Sequence, residues 1–589
     1  MKKGFTLIEL LAVIVILAII ALITIPTLTK VVEQTKVKAS VQSANGYIDA
    51  INKQIMANEL SKTSIINDDT YDINDLKVNV KGNKPTNGII TIEKSNVKEA
   101  RLCINKYSID YNENEIKISS NDYCGETNVT ILSNGTIINP KKSNNVFTLD
   151  LTGKTNINCS NGATPILEDN KLTVKNAIGN TTCDIGSSLK YTFTHLHDGD
   201  NNIVMVSDET ISSMISIKKD KKAVLDLKGK KIIYKNLDDP DETKVSEDYD
   251  LSNFIFDVYG KLIVNDKDNN GYMKSYAGSA SFIVRVGSYV EINGGEYVGG
   301  RSVLNTGGTL VINKGIFDKT KYNVIRSNKS SSKTVINGGL FIKNDSLNYA
   351  VISIGAGNFT INDGYFESNI GSTINFTANN ESLYINGGKF IARNSYVLTH
   401  SGNGNIYINQ TNKPIYMRSE AVGWKPTINN MAGNLYIKAN IANKCTNIES
   451  DTKNGLCIYA KGDGSGKIST NGNLAILNTG NAYIDGGTYI GGYHGIENDN
   501  ILNINNAVIF SDRNAIRAKK NSVANICNST LNSLSTELII WNNDNIDTTT
   551  TLINYSSNNV FSNGTNVPVI GNNSPLSSIN ANYTGTCIK

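Results

Sequence analysis

INGGEYVGG, residues 292–300, returns nearly whole as IDGGTYIGG at residues 484–492. Between them stand INKGIF at Ile312, INGGLF at Ile336, INDGYF at Ile361 and INGGKF at Ile385, so the first five anchors lie 20, 24, 25 and 24 residues apart. In every copy an aromatic ring follows five residues after the isoleucine: Tyr297, Phe317, Phe341, Phe366, Phe390 and Tyr489. Repetition at this period marks a solenoid, whose units bury their apolar faces only by stacking on one another. The runs around each anchor are short, β-branched and broken by Asn-Gly or Gly-Gly, with no helical stretch, so each coil is expected to be strands and turns alone. Asparagine tolerates, and glycine supplies, the left-handed backbone that a sharp corner needs. The isoleucines and aromatics are expected to face inward, and the asparagines to form a ladder from coil to coil. Weaker coils fit around IYINQTN, LYIKANI and IYAKGDGSGKIS.

A leucine-rich repeat would need a Leu/Asn frame, and a propeller blade about 40 residues. The pattern resembles instead a right-handed parallel β-helix of the pectate-lyase-like kind. LHDGDNN and ISIKKDKKAVLDLKGKKI, within residues 196–232, resemble the opening coils of such domains. The resemblance implies a β-helix over residues 191–540 followed by a C-terminal cap or tail over 541–589. At ~4.8 Å per coil, about a dozen coils make a rod of roughly 60 Å.

The chain opens MKKGFTLIELLAVIVILAIIALITIP, in which Thr6, Glu9 and Thr24 alone interrupt an apolar run from Phe5 to Ile25. At ~1.5 Å per residue that run is long enough to span a bilayer as a helix. A charge inside it costs at least ~2.5 kcal/mol, so Glu9 calls for a partner. KKGFTLIEL resembles the processing site of a type IV prepilin or pseudopilin. The resemblance implies a leader of residues 1–4, cut after Gly4 by a prepilin peptidase that methylates Phe5. It also implies an ion pair between Glu9 and the N-terminal amine of a neighbouring subunit, and places Pro26 at a familiar pilin position. Burying a carboxylate with an ammonium offsets the cost of burying either alone. The partners so implied are other pilin subunits and the pilus assembly platform. The implied location is single-pass in the cytoplasmic membrane before assembly, then the cell surface as an extracellular pilus.

Beyond Pro26 the spacing of Val37, Val41, Ile48, Ile51 and Ile55 keeps one apolar face, predicting a helix over 5–60 with its transmembrane and polymerising part at 5–25 and a bend near Pro26. Residues 61–127 alternate apolar and polar, predicting an antiparallel sheet, and a helix packed on such a sheet resembles a pilin head. Residues 128–190 read as a small all-β spacer. The fold class is thus an α+β pilin module, a β spacer and a parallel β-helix, mostly β overall.

Charged residues make up 19% and the net charge is +4, too little single-sign field to suggest a nucleic-acid partner. No CxxC pair and only four histidines stand in the sequence, so zinc spacing is absent and no cofactor is expected. Eight cysteines in an exported chain favour disulfides, and sequence neighbours suggest Cys103–Cys124, Cys159–Cys183, Cys445–Cys457 and Cys527–Cys587.

Aligning coils on their Ile-Asn anchors predicts one outward column of Asn305, Arg326, Ser353, Thr399, Glu497 and Arg517. The densest polar group is Tyr493, His494, Glu497 and Asp499 facing Asp512, Arg513 and Arg517 on the next coil. Such a group is the candidate for polysaccharide lyase or hydrolase chemistry, but glycoside hydrolysis needs two carboxyl groups ~5 to 9.5 Å apart and the column holds one. Asp266, Asp268 and Asn270 match half of a calcium loop, whose twelfth position is Ala277 rather than glutamate; turns between coils explain the same residues. His195 and His197 straddle Leu196 on an expected strand. Tyr276, Tyr322, Tyr349, Tyr396 and Tyr493 are candidates for positions outside the core, where rings could stack on sugars. The sequence therefore points to a minor or tip pilin displaying a non-enzymatic adhesin for a glycan or surface protein. A pilus-borne polysaccharide lyase or hydrolase and a structural spacer are the alternatives.

Overall fold

The computed structural model describes residues 7–61, 69–119, 124, 128–138, 146–235, 254–533, 540–542, 552–561, 570–571 and 579–587, less short breaks at 74–75, 77, 81, 114, 134–135, 268–269, 276–278, 345, 411, 422, 447–454, 462–471, 520, 557 and 581–582. Within residues 1–30, side chains are described only at Leu11 and at 13–16. The chain forms two compact units, one of residues 1–152, 157–185 and 197–202, the other of 153–156, 186–196 and 203–589.

The first unit begins with helix α1, Leu7–Ser61, which continues through Pro26. Ile48, Ile51 and Ile55 are buried and Val37 and Val41 partly so, which is the apolar face expected. That face packs on a five-stranded antiparallel meander whose strands are Thr70–Asp72, Asn87–Glu93, Asn96–Ile104, Tyr107–Asn112 and Glu115–Ile118. Its tight turns use Lys94–Ser95 and Asn105–Lys106, all with positive φ, the twist that two-residue hairpins prefer. A second, three-stranded antiparallel sheet joins Val146–Thr148, Thr164–Glu168 and Lys171–Lys175. Arg101 of the meander pairs with Asp200 and donates to the Asn161 carbonyl, so the spacer and the head share one unit. Among the described residues no helix is long and apolar enough to cross a membrane.

The second unit is the predicted parallel β-helix. Each strand pairs in parallel with its counterpart one coil on, and this ladder runs past residue 540, the expected end, to Ile579–Asn580. The isoleucine anchors stack directly, Ile292 on Ile312, Ile336, Ile361 and Ile385, all fully buried. So do the aromatics. Tyr297, Phe317, Phe341, Phe366 and Phe390 lie 4.9, 4.7, 4.6 and 4.8 Å apart with near-parallel rings. Met417 and Ile458 continue the same file to Tyr489, which is why the motif fades between residues 390 and 484.

The glycine two residues before each ring has a physical role. Gly315, Gly339 and Gly364 have φ of +141°, +119° and +134°, and a Cβ there would meet the following ring at 2.9 to 3.0 Å. The asparagines form the expected ladder. Asn265, Asn293, Asn313, Asn337, Asn362 and Asn386 bond carboxamide to carboxamide at 2.7 to 2.9 Å.

Three expectations are corrected. Residues 195–197, expected on a strand, instead follow a short helix, α2 (Leu189–Thr194), which Ser188 caps and in which Leu189 and Phe193 are spaced to share one buried face. His195 is therefore a helix C-cap stacked on Tyr191, and His197 pairs with Asp184 at 2.8 Å. Tyr322 is buried, edge-on to Tyr349 and beneath the Arg301 guanidinium, so it lies outside the set of surface rings. Asn305 points inward and Leu304 holds the place before Arg326. A turn one residue shorter than the alignment assumed moves every following side chain to the opposite face.

Candidate functional site

Two groups of side chains on the β-helix surface merit comparison. The first is the polar cluster. The observed outward column runs Leu304, Arg326, Ser353, Asn375, Thr399, Asn429, Leu477, Glu497 and Arg517. Glu497 is 2% exposed and held by Arg517 at 2.9 Å and Lys519 at 2.5 Å. Lys519 also reaches Asp499 at 3.3 Å, whose carboxyl is pushed up by burial, against the pull of Lys519. His494 is fully buried, and burial with the charges of Arg517 and Arg513 lowers its pKa to about 2, keeping the ring neutral. Asp512 acts elsewhere: with burial as the larger cause, it raises the phenol of Tyr459. Glu497 and Asp499 are thus gripped by one lysine, and Glu497 is withdrawn from solvent.

Trp424 covers this cluster. It is 47% exposed, carries a φ of +58°, and lies 5.4 Å from the Tyr493 ring with Arg517 at 5.5 Å from its own ring. Arg513 bonds the Tyr493 hydroxyl and lies over that ring at 5.2 Å. The buried Asn473 fixes the loop that presents Trp424 by donating to the carbonyls of Ala421 and Lys425.

The calcium half-motif is used for backbone. Asp266 is buried and accepts from the amides of Gly229 at 2.9 Å and Gly271 at 2.7 Å, clamping two turns together. Asp268 lies outside the described residues, as do Ala277 and Tyr276. Among the described residues no group of three His, Cys, Asp or Glu could hold a metal ion. Gly4 and Phe5 also lie outside the described residues, and Glu9 and Pro26 sit in α1 with side chains outside the description.

The second group was not among the expected surface tyrosines. Tyr384, Tyr407, Tyr436 and Tyr483 occupy one outward position on four successive coils, with ring centroids 5.0 Å apart at each step and interplanar angles of 10°, 10° and 13°. Tyr384 is 37% exposed and the other three are half-buried. Two residues earlier on the same face, Asn405, Asn434 and Asn481 form their own ladder at 2.9 and 3.0 Å. Two residues later stand Asn386, Asn409, Lys438 and Asp485, the last two side by side. The signal lay in IYIN and LYIK, where tyrosine precedes the buried isoleucine, but a gap of 47 residues separates Tyr436 from Tyr483.

All four neighbouring cysteine pairs are bridged: Cys103–Cys124, Cys159–Cys183, Cys445–Cys457 and Cys527–Cys587. The described residues contain no free cysteine.

Comparison with known proteins adds one finding. The family described as the prokaryotic N-terminal methylation motif matches residues 1–25. No curated protein and no solved structure matches the chain. The motif supports a pilin-type subunit, made as a membrane-anchored precursor, processed by a prepilin peptidase and assembled with other pilins. The body behind that motif is mostly β, with a long parallel sheet coiled as a β-helix.

Proposed function

We propose that this pilin-type subunit is a minor or tip pilin whose β-helix is an adhesin for a glycan or surface protein. The observation that carries the reading is the stripe of Tyr384, Tyr407, Tyr436 and Tyr483, an ordered aromatic row on an outer face bordered by carboxamides. Tyrosine combines a large apolar body with a polar tip and little entropy to lose, which suits it to binding surfaces. A β-helix appendage of this bulk fits poorly at every position of a closely packed fibre, which favours a minor or terminal place. Against an enzyme stands the state of Glu497, buried and paired with two cations, where hydrolysis needs a carboxyl group that meets the substrate.

The test is a glycan and matrix-protein array on the full chain in detergent, with product detection on polysaccharides in parallel. Saturable binding that is lost in Tyr407→Ala and leaves no product supports the adhesin. Product formation that disappears in Glu497→Gln replaces it with a pilus-borne lyase or hydrolase. Silence in both arms leaves the β-helix as a structural spacer.

A further inference from the structure

We infer that the tyrosine stripe binds an uncharged, linear β-1,4-linked glycan lying along the β-helix axis, one sugar per coil. The inference rests on the adhesin reading and specifies its ligand.

The stripe's geometry limits what can bind. Its rings are stacked face to face at 5.0 Å, so the inner rings present edges and hydroxyls, with no free flat face. A single sugar stacked on one ring is therefore disfavoured at Tyr407 and Tyr436. What the surface offers is repetition: a phenol on each coil, and beside it, from Asn405 onward, a carboxamide at the same step. Asn434 and Asn481 each spend one N–H on the preceding carboxamide, and a carboxamide carries two.

A repeating surface favours a polymer whose repeat is a whole number of coil steps, because every added repeat then meets the same contacts. An extended polypeptide advances ~3.3 Å per residue, roughly 6.6 Å between side chains on one face, and falls out of step with the coils. A β-1,4-linked glucose chain is a flat ribbon in which each sugar is turned over relative to the last, so its repeat is two sugars and spans close to two coil steps of ~4.8 Å. An α-1,4-linked chain of the same sugar coils and cannot keep register. The border is uncharged except for Lys438 beside Asp485, whose charges oppose, so no net field selects an ionic polymer. The stripe also ends: Thr360 precedes Tyr384 in the file, and Asn503 follows Tyr483.

The experiment measures binding of cello-oligosaccharides and malto-oligosaccharides, of two to six sugars, to the full chain in a detergent without a sugar headgroup. The two series share glucose and differ in linkage alone. Affinity is expected to rise with length to about four sugars and then level off, since the stripe holds four tyrosines. The malto series is expected to bind at least about tenfold more weakly. Tyr407→Ala and Tyr436→Ala should each lose about tenfold for cellohexaose, while Tyr407→Phe, which keeps the stack, should lose less. Tyr191→Phe, on α2 and outside the stripe, should bind as the parent does. Equal binding of both series, affinity independent of length, or no loss in the alanine variants overturns the inference. If neither series binds while the array shows a ligand lost in Tyr407→Ala, the adhesin stands and the β-1,4-glycan does not. If the array is silent as well, both fall.

Discussion

Phe341 offers the sharpest test of how the β-helix is held together. Its ring is fully buried between Phe317 at 4.7 Å and Phe366 at 4.6 Å, with interplanar angles of 2° and 8°. Phe341→Ala removes the ring from a file whose backbone rungs are fixed by parallel pairing of Leu340–Lys343 with Tyr365–Ser368, so neighbours cannot close the gap. A buried Phe→Ala change costs ~3 to 5 kcal/mol. Two stacked pairs are lost at once, each contributing ~0.5 to 1.5 kcal/mol beyond area, which places the change in the upper half of that range. Solenoid stability is close to a sum of repeat and nearest-neighbour terms, so the damage should be local. Hydrogen exchange on the full chain should show faster amide exchange in the strands of coils 309–368 and little change in Ile501–Asn505. Phe341→Leu should cost less than the alanine change, because a leucine keeps much of the buried volume and Ile509 and Leu531 fill the same file further on. A loss below ~1 kcal/mol for the alanine variant, or one spread evenly over the unit, would refute the stacking account.

Three further outcomes are expected. Glu497→Ala strands Arg517 and Lys519 beside a buried gap and should destabilise the surrounding coils by ~3 to 5 kcal/mol in chemical denaturation, whereas the array result of the parent should persist if Glu497 is structural. Cys587→Ser opens a bridge of sequence separation 60; the entropy of closing such a loop predicts a loss of about 4 kcal/mol, read as an earlier unfolding transition of the C-terminal coils. His494 stays neutral when folded, with a pKa of about 2 against 6.5 when free, so the unfolded chain binds its proton first as pH falls. Stability from this residue is complete above pH about 6.5 and declines toward pH 2, and His494→Gln should flatten that acid limb; an unchanged slope would contradict the burial of the ring.

The sequence by itself determined the features that repeat locally. The coil period, the inward isoleucines and rings, the asparagine ladder and the leader motif are each set by residues within one coil or one helix turn. The cysteine pairs were legible for the same reason, since each partner is the next cysteine along the chain. Tertiary structure alone decided the facing of columns and the assembly of surfaces. A single residue's difference in one turn put Asn305 on the inward face and Leu304 on the opposite one, where it packs in a cluster with Phe254 and Ile283, and no periodicity within the strand announces the length of the turn before it. The tyrosine stripe needs coils that begin 23, 29 and 47 residues apart to fall into register, with the last interval carrying the loop that holds Cys445 and its bridge. Trp424, Tyr493 and Arg517 meet because parallel pairing stacks segments that the chain separates by whole coils. Local chemistry chooses what each coil is made of; the lengths of the turns choose which side chains share a surface, and only the stacked coils reveal them.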